Sequence, residues 1–334
     1  DSKTNSDKPT TASIHLLITI DDSQRESLSI IMQRYIEKYL LPIAMVVGIS
    51  FHSSISILAP ATPYLLAVML FFTYARISWR DIRMTQFHYM LLAIQYIGSA
   101  LVYAIVRPFN EILAQAAMIC ILAPTATSAP VVSGILGGSV SATAAYSIMS
   151  NLSVAFIAPV YLSIIGHTGQ SVPFLTAFGY IFLNVMPTLI LPFLLALALE
   201  RISPAVHKKI RSAQIVSFYV WAVALTIVIS NVTNFVITEF DGNFRLEILI
   251  AVVAAIICLL QFFLGRKIGN RHHMTIAGGQ GMGQKNTILA IWLTQTYLNP
   301  IASLGPGMYV IWQNVVNSWQ IWRKKRSEEI NQIE

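Results

Sequence analysis

The sequence predicts an all-α integral membrane protein of ten transmembrane helices, arranged as two inverted five-helix repeats. Three observations predict this. Of the 334 residues, 55% are hydrophobic and 11% charged, against about 25% charged residues in soluble domains. Ten uncharged runs approach the roughly 20 apolar residues that one helical crossing of a hydrocarbon core needs. The basic residues follow the enrichment of Lys and Arg in cytoplasmic loops. With ten spans, nineteen of the 22 fall on the side of both termini, only Arg107 and Arg245 on the other, and Lys285 is left over.

In order along the chain, a polar stretch at 1–36 is read as a cytoplasmic tail, and "DSQRESLSIIMQRYIEKYLL" within it could form an amphipathic lead into the first span. No signal peptide is expected, because the start is acidic and "IHLLITI" is too short an apolar core. The first repeat, 37–167, holds spans at 39–59, 61–79, 88–106, 112–136 and 139–165. The second, 168–322, holds spans at 172–199, 215–237, 248–264, 272–298 and 300–322, before a cytoplasmic tail at 323–334. That tail opens with "RKKR" directly after Trp319 and Trp322, which reads as an interfacial anchor rather than a nucleic-acid patch. The net charge of +7 therefore calls for no nucleic-acid partner. Cys120 and Cys258 fall inside spans, where small apolar filler is their ordinary role.

Two spans, the fourth and the ninth, are interrupted, and they stand five spans apart. The fourth carries "APTATSAPVVSGILGG" with Pro124 and Pro130, and the ninth carries "AGGQGMGQKN" with Gly278, Gly279, Gly281 and Gly283. Proline removes an amide and glycine weakens a helix, so both stretches are expected to leave backbone groups unpaired. Such backbone survives at membrane depth only inside protein or along a cavity. Thr127 and Gln280 are therefore expected to come together. Five spans per half invert the second half relative to the first, which is the plan of many secondary transporters, with the binding site at the discontinuous helices. A packing kink is the plainer account of one interruption, and two at matching positions favour transport.

The residues also carry a family resemblance. "APTATSAPVVSGILGGSVSATAAYSIMSNLSVAFIAP" resembles the fourth and fifth spans of the bile acid:sodium symporter family, and "GQGMGQKNTILAIWL" with "PGMYVIWQNVVNSW" resembles its ninth and tenth. The resemblance implies a core of spans 3–5 and 8–10 with crossing broken helices, beside a panel of spans 1, 2, 6 and 7. It further implies movement of organic anions, usually coupled to sodium. Gln95, Thr143, Ser147 and Gln284 match sodium ligands of that family. Three positions depart from it: Gln280 stands where the family has the carboxylate shared by its two sodium sites, Ala129-Pro130 where it has Ser-Asn, and Lys285 where it has Asn. A hard cation wants oxygen ligands, so these changes imply that sodium coupling is altered or lost.

The acidic residues fall in tails, loops or span edges, so no carboxylate is expected at mid-membrane to pair with Lys285. An intramembrane ionisable residue costs about 2.5–3.5 kcal/mol on insertion scales and is a functional candidate by default. Three readings are open. Its ammonium replaces a coupling cation, held by carbonyls of the broken helices and by Gln280 and Gln284; or it pairs with an anionic substrate near helix N-termini; or it snorkels to an interface. A buried lysine could also carry a proton. His52 and His88 could relay one or simply pack, and Gln95, Thr143 and Ser147 could equally be interhelical hydrogen-bonding glue.

The candidate binding set is Lys285, Gln280, Gln284, Asn286, Gln95, Thr127, Ser128, Thr143 and Ser147. The expected activity is alternating-access transport of a small organic anion, with sodium or a proton as coupling ion and no other cofactor. A conventional sodium symporter and a non-transporting sensor on the same fold are the alternatives. An intramembrane enzyme lacks a catalytic constellation: no H-E-x-x-H, P-loop or nucleophile elbow occurs in the membrane region.

Overall fold

The computed structural model describes residues 40, 42–76, 83–166, 173–238 and 244–331. The 1–36 tail, most of the 75–84 loop and residues 239–243 lie outside the described residues. Within them the chain is helical throughout and contains no strand. Six of its helical segments are long and apolar enough to cross a membrane. The chain is an all-α, multi-pass integral membrane protein.

After a helical stretch at 42–50 come α1 (His52–Ile55), a 3-10 turn η1 (Ser56–Ala61) around Pro60, and α2 (Thr62–Arg76). Next are α3 (Gln86–Val106), α4 (Glu111–Leu122), α5 (Ala129–Ile135) and α6 (Val140–Ile165). Then follow α7 (Phe174–Ile202), α8 (Pro204–Ser212), α9 (Gln214–Thr238) and α10 (Arg245–Arg271). The chain finishes with α11 (Thr275–Gly283), α12 (Thr287–Tyr297), a 3-10 turn η2 (Pro300–Ser303) and α13 (Leu304–Asn331).

Apolar runs supply the helix interiors, and short polar residues start them. Asn110 accepts from the Leu113 amide, Ser139 from Ala142 and Asn286 from Leu289, each satisfying an amide that has no partner inside its own helix. Thr85 and His88 form a reciprocal cap on α3. His88 also meets the Ala142 carbonyl at 3.0 Å and is buried, so its neighbours are those of a packing and capping residue.

Both interrupted segments are pairs of short helices, but the breaks are shorter than the sequence reading had them. The first lies between α4 and α5, and Pro130 sits in the first turn of α5, where a missing amide costs nothing. The second is only Gln284, Lys285 and Asn286. Contrary to expectation, Gly278, Gly279, Gly281 and Gly283 lie inside α11. Their role is close packing: a Cβ on Gly278 would strike the Gly265 carbonyl of α10, and one on Gly265 would strike the Gly278 carbonyl. The α10–α11 hairpin thus brings two backbones together as small residues do between membrane helices.

The helices form two groups. Residues 42–76 with α7, α8 and α9 make one. Gly48 abuts the Thr226 carbonyl, and His52 bonds Ser230 through its carbonyl and Asn234 through its ring, so 48–52 runs parallel to α9. Since α2 packs back along α9 and against α8, the chain reverses at η1. The other group is α3–α6 with α10–α13. α13 continues through the basic run to Asn331. Arg323 lies over Trp319 and Arg326 over Trp322, with 5.5 and 5.4 Å from the guanidinium carbon to the ring centre.

Candidate functional site

The two breaks run side by side. Thr125 and Lys285 face each other as an antiparallel backbone pair, 160 positions apart. The Ala126 amide donates to the Gln284 carbonyl at 2.9 Å, and the Asn286 amide donates to the Pro124 carbonyl at 2.7 Å. The side chains repeat the pattern. Thr125 Oγ1 donates to the Gly281 carbonyl at 2.7 Å, four residues before Lys285. Lys285 Nζ donates to the Ile121 carbonyl at 2.9 Å, four residues before Thr125. Each break thus caps the helix that enters the other, and the backbone left unpaired by one interruption is satisfied by its counterpart.

The C-terminal end of α4 is capped in full by side chains from two helices and the second break. Gln261 donates to the Cys120 carbonyl at 3.1 Å, Lys285 to Ile121, and Gln95 to Leu122 and Ala123 at 2.8 and 3.2 Å. Carbonyls at a helix C-terminus carry about half a negative charge between them. The ammonium of Lys285 therefore sits on the negative pole of a half-helix rather than on a carboxylate. At 1% exposure it is enclosed by protein, which overturns the snorkelling reading. Of the carbonyl-held arrangement, the helix carbonyl is present, whereas Gln280 and Gln284 bond elsewhere.

Those two glutamines belong to a second chain of bonds. Ser128 Oγ donates to Gln284 Oε1 at 3.0 Å, Gln284 Nε2 to Gln280 Oε1 at 2.5 Å, and Gln280 Nε2 to Gln320 Oε1 at 3.2 Å. Arg266 donates to the same Gln320 oxygen at 3.1 Å. Thr127 is half-buried beside Ser128, and Asn286 is spent in part on capping α12, its side-chain amide nitrogen buried without a protein partner.

The remaining candidates surround the crossing without joining one another. Gln95 uses both oxygen lone pairs on Tyr146 and Ser150, at 2.8 and 2.9 Å. Thr143 Oγ1 lies 2.9 Å from both Ser133 Oγ and the Ser139 carbonyl, and Ser147 reaches the Ala126 carbonyl at 3.5 Å. Gln95, Thr143 and Ser147 are thus bonded to neighbouring helices or to the first break, and no hydrogen bond links them to Gln284.

The residues of the site missed in the sequence include Thr125, Gln261, Tyr309, Gln313 and Gln320. Tyr309 donates to the Gly283 carbonyl and accepts from Gln261, while Gln313 accepts from the Lys285 amide at 2.9 Å. A polar residue every third or fourth position of an otherwise apolar segment was the available signal, and "GMYVIWQNVVNSWQ" has it.

No protein-family model matches this chain, and no curated protein matches it.

Proposed function

We propose that this protein is a secondary transporter of a small organic anion, of the bile acid:sodium symporter type, in which the buried Lys285 ammonium takes the place of a coupling cation. The observation that carries the proposal is the reciprocal capping of two broken helices at one crossing. Discontinuous helices with matched breaks are how inverted-repeat transporters build their binding sites. The exchange of bonds between Thr125 and Lys285 is what a two-fold relation between the halves requires. In this reading the chain makes ten crossings with both termini cytoplasmic. The group of α3–α6 and α10–α13 then serves as the moving core, and residues 42–76 with α7 and α9 as the panel.

Lys285 supplies a fixed positive charge where a coupling ion is otherwise recruited. Its charge is balanced by the α4 terminus and by the substrate anion, so no sodium is needed to make the site electrically attractive. Ser128, Thr127 and the Gln284–Gln280 pair offer the polar groups that face a substrate. The test is uptake of small carboxylates into proteoliposomes under imposed sodium or proton gradients. Carboxylate uptake that is unchanged when choline replaces sodium supports the proposal. Uptake that requires sodium overturns the role given to Lys285, and binding without flux makes the protein a sensor.

A further inference from the structure

The two helix groups pack unevenly: α12, η2 and α13 pack against α2 or α9, whereas α5 and α11 pack mainly within the core. The large apolar cluster that joins the groups takes Leu66, Val185 and Leu225 from the panel and Ile148, Val154, Leu162, Ile291 and Leu298 from the core. A separate cluster of α3, α6, α10 and α11, around Phe87, Tyr146 and Met282, contains no panel residue. Packing across the boundary runs through α6, α12, η2 and α13. On α5, by contrast, Ser128, Val131 and Ile135 form an exposed stripe.

Among the described residues, one side-chain hydrogen bond joins panel to core, and it lies at the α12 end. Asn231 of α9 donates to Gln295 Oε1 of α12 at 2.8 Å. Gln295 Nε2 continues to Ser303 of η2 at 3.4 Å, and Ser303 is tied to the Pro300 carbonyl at 2.6 Å. Among the described residues, this polar link crosses from panel to core within a largely apolar wall.

We propose that Asn231, Gln295 and Ser303 form a latch that closes the site at the α12 end, and that this structure is the conformer open at the α5 end. The inference rests on the transporter reading and on the charge asymmetry, which together make the α5 end cytoplasmic. Rocking the core to open the α12 end must break the Asn231–Gln295 bond, since its two partners lie on opposite groups. A single amide–amide bond is worth a roughly 2- to 12-fold change in the ratio of the two states.

The experiment reports accessibility and needs no flux. Ser128→Cys is introduced, with the unaltered chain as background because Cys120 and Cys258 are buried. Labelling by a membrane-impermeant maleimide is timed from each side of oriented vesicles. Ser128→Cys is expected to label faster from the cytoplasmic side. Adding Asn231→Leu is expected to raise the outside-to-inside labelling ratio by about 2- to 12-fold. Adding Asn234→Leu, which removes a bond to His52 within the panel, is expected to leave the ratio unchanged. Faster labelling from outside in the parent overturns the open-end assignment. An Asn231→Leu ratio that stays put, or an equal shift from Asn234→Leu, overturns the latch. Two-sided labelling, with no carboxylate uptake by the unaltered chain, removes the transporter reading and leaves the latch standing, whereas uptake by the unaltered chain with an unshifted ratio does the reverse.

Discussion

Replacing Lys285 with methionine should separate stability from function. The substitution keeps an unbranched side chain of similar reach and removes the ammonium. On the losing side is one charge-assisted hydrogen bond to the Ile121 carbonyl, worth about 1.5–3 kcal/mol. To this is added the favourable position at a helix C-terminus, up to about 2 kcal/mol when buried. On the gaining side is the penalty of holding a charge in the membrane interior, about 2.5–3.5 kcal/mol on insertion scales. The terms nearly cancel, so the fold should change by no more than about 2.5 kcal/mol. A melting curve in detergent should place Lys285→Met within about 10 °C of the native protein, at 2–4 °C per kcal/mol for large domains. Carboxylate binding and uptake should be lost. Gln95→Leu is the contrasting case. It strands the Leu122 and Ala123 carbonyls and the hydroxyls of Tyr146 and Ser150, at about 1–3 kcal/mol for each group that stays unsatisfied. If Lys285→Met melts as early as Gln95→Leu, or transports normally, the lysine is a structural cap and the reasoning about its function fails.

Further outcomes follow from the same contacts. Lys285→Asn alone should impair transport, and adding Gln280→Glu should restore activity that now depends on sodium, read as uptake in sodium against choline. Thr125→Val keeps the shape but strands the Gly281 carbonyl, so thermal unfolding should register a loss of about 1–3 kcal/mol. Gly278→Val drives a side chain into the Gly265 backbone and should abolish a monodisperse peak in size-exclusion chromatography, whereas Gly179→Ala, with open space around it, should be neutral.

Most of the helix positions were legible because length and hydropathy are local properties. Expected spans at 88–106, 139–165 and 215–237 differ from α3, α6 and α9 by a residue or two at either end. The short α8 was missed, since nine residues of "PAVHKKIRS" carry too few apolar side chains to stand out. The glycines of the ninth segment were read as breakers because glycine weakens a helix wherever it lies. Whether it instead admits a neighbour depends on Gly265, which only the fold brings close. Lys285 was recognisable as out of place, but its partner was not. A carbonyl 164 positions away has no sequence signature, whereas a carboxylate would have had one. The pairing of the breaks was foreseeable from lipid's intolerance of bare amides, although the choice of Thr125 and Lys285 as mates required the geometry.

One face of α13 touches much of the crossing. Tyr309 meets the Gly283 carbonyl, Gln313 the Lys285 amide, Gln320 the Gln280 side chain and Lys324 the Ile135 carbonyl. This helix follows both breaks in the chain, so the polar groups of the crossing that it satisfies stay bare until it has been made. A nascent chain halted before Leu304 should accordingly be held by insertion chaperones or degraded by membrane proteases, even though every helix of the crossing itself has already been made.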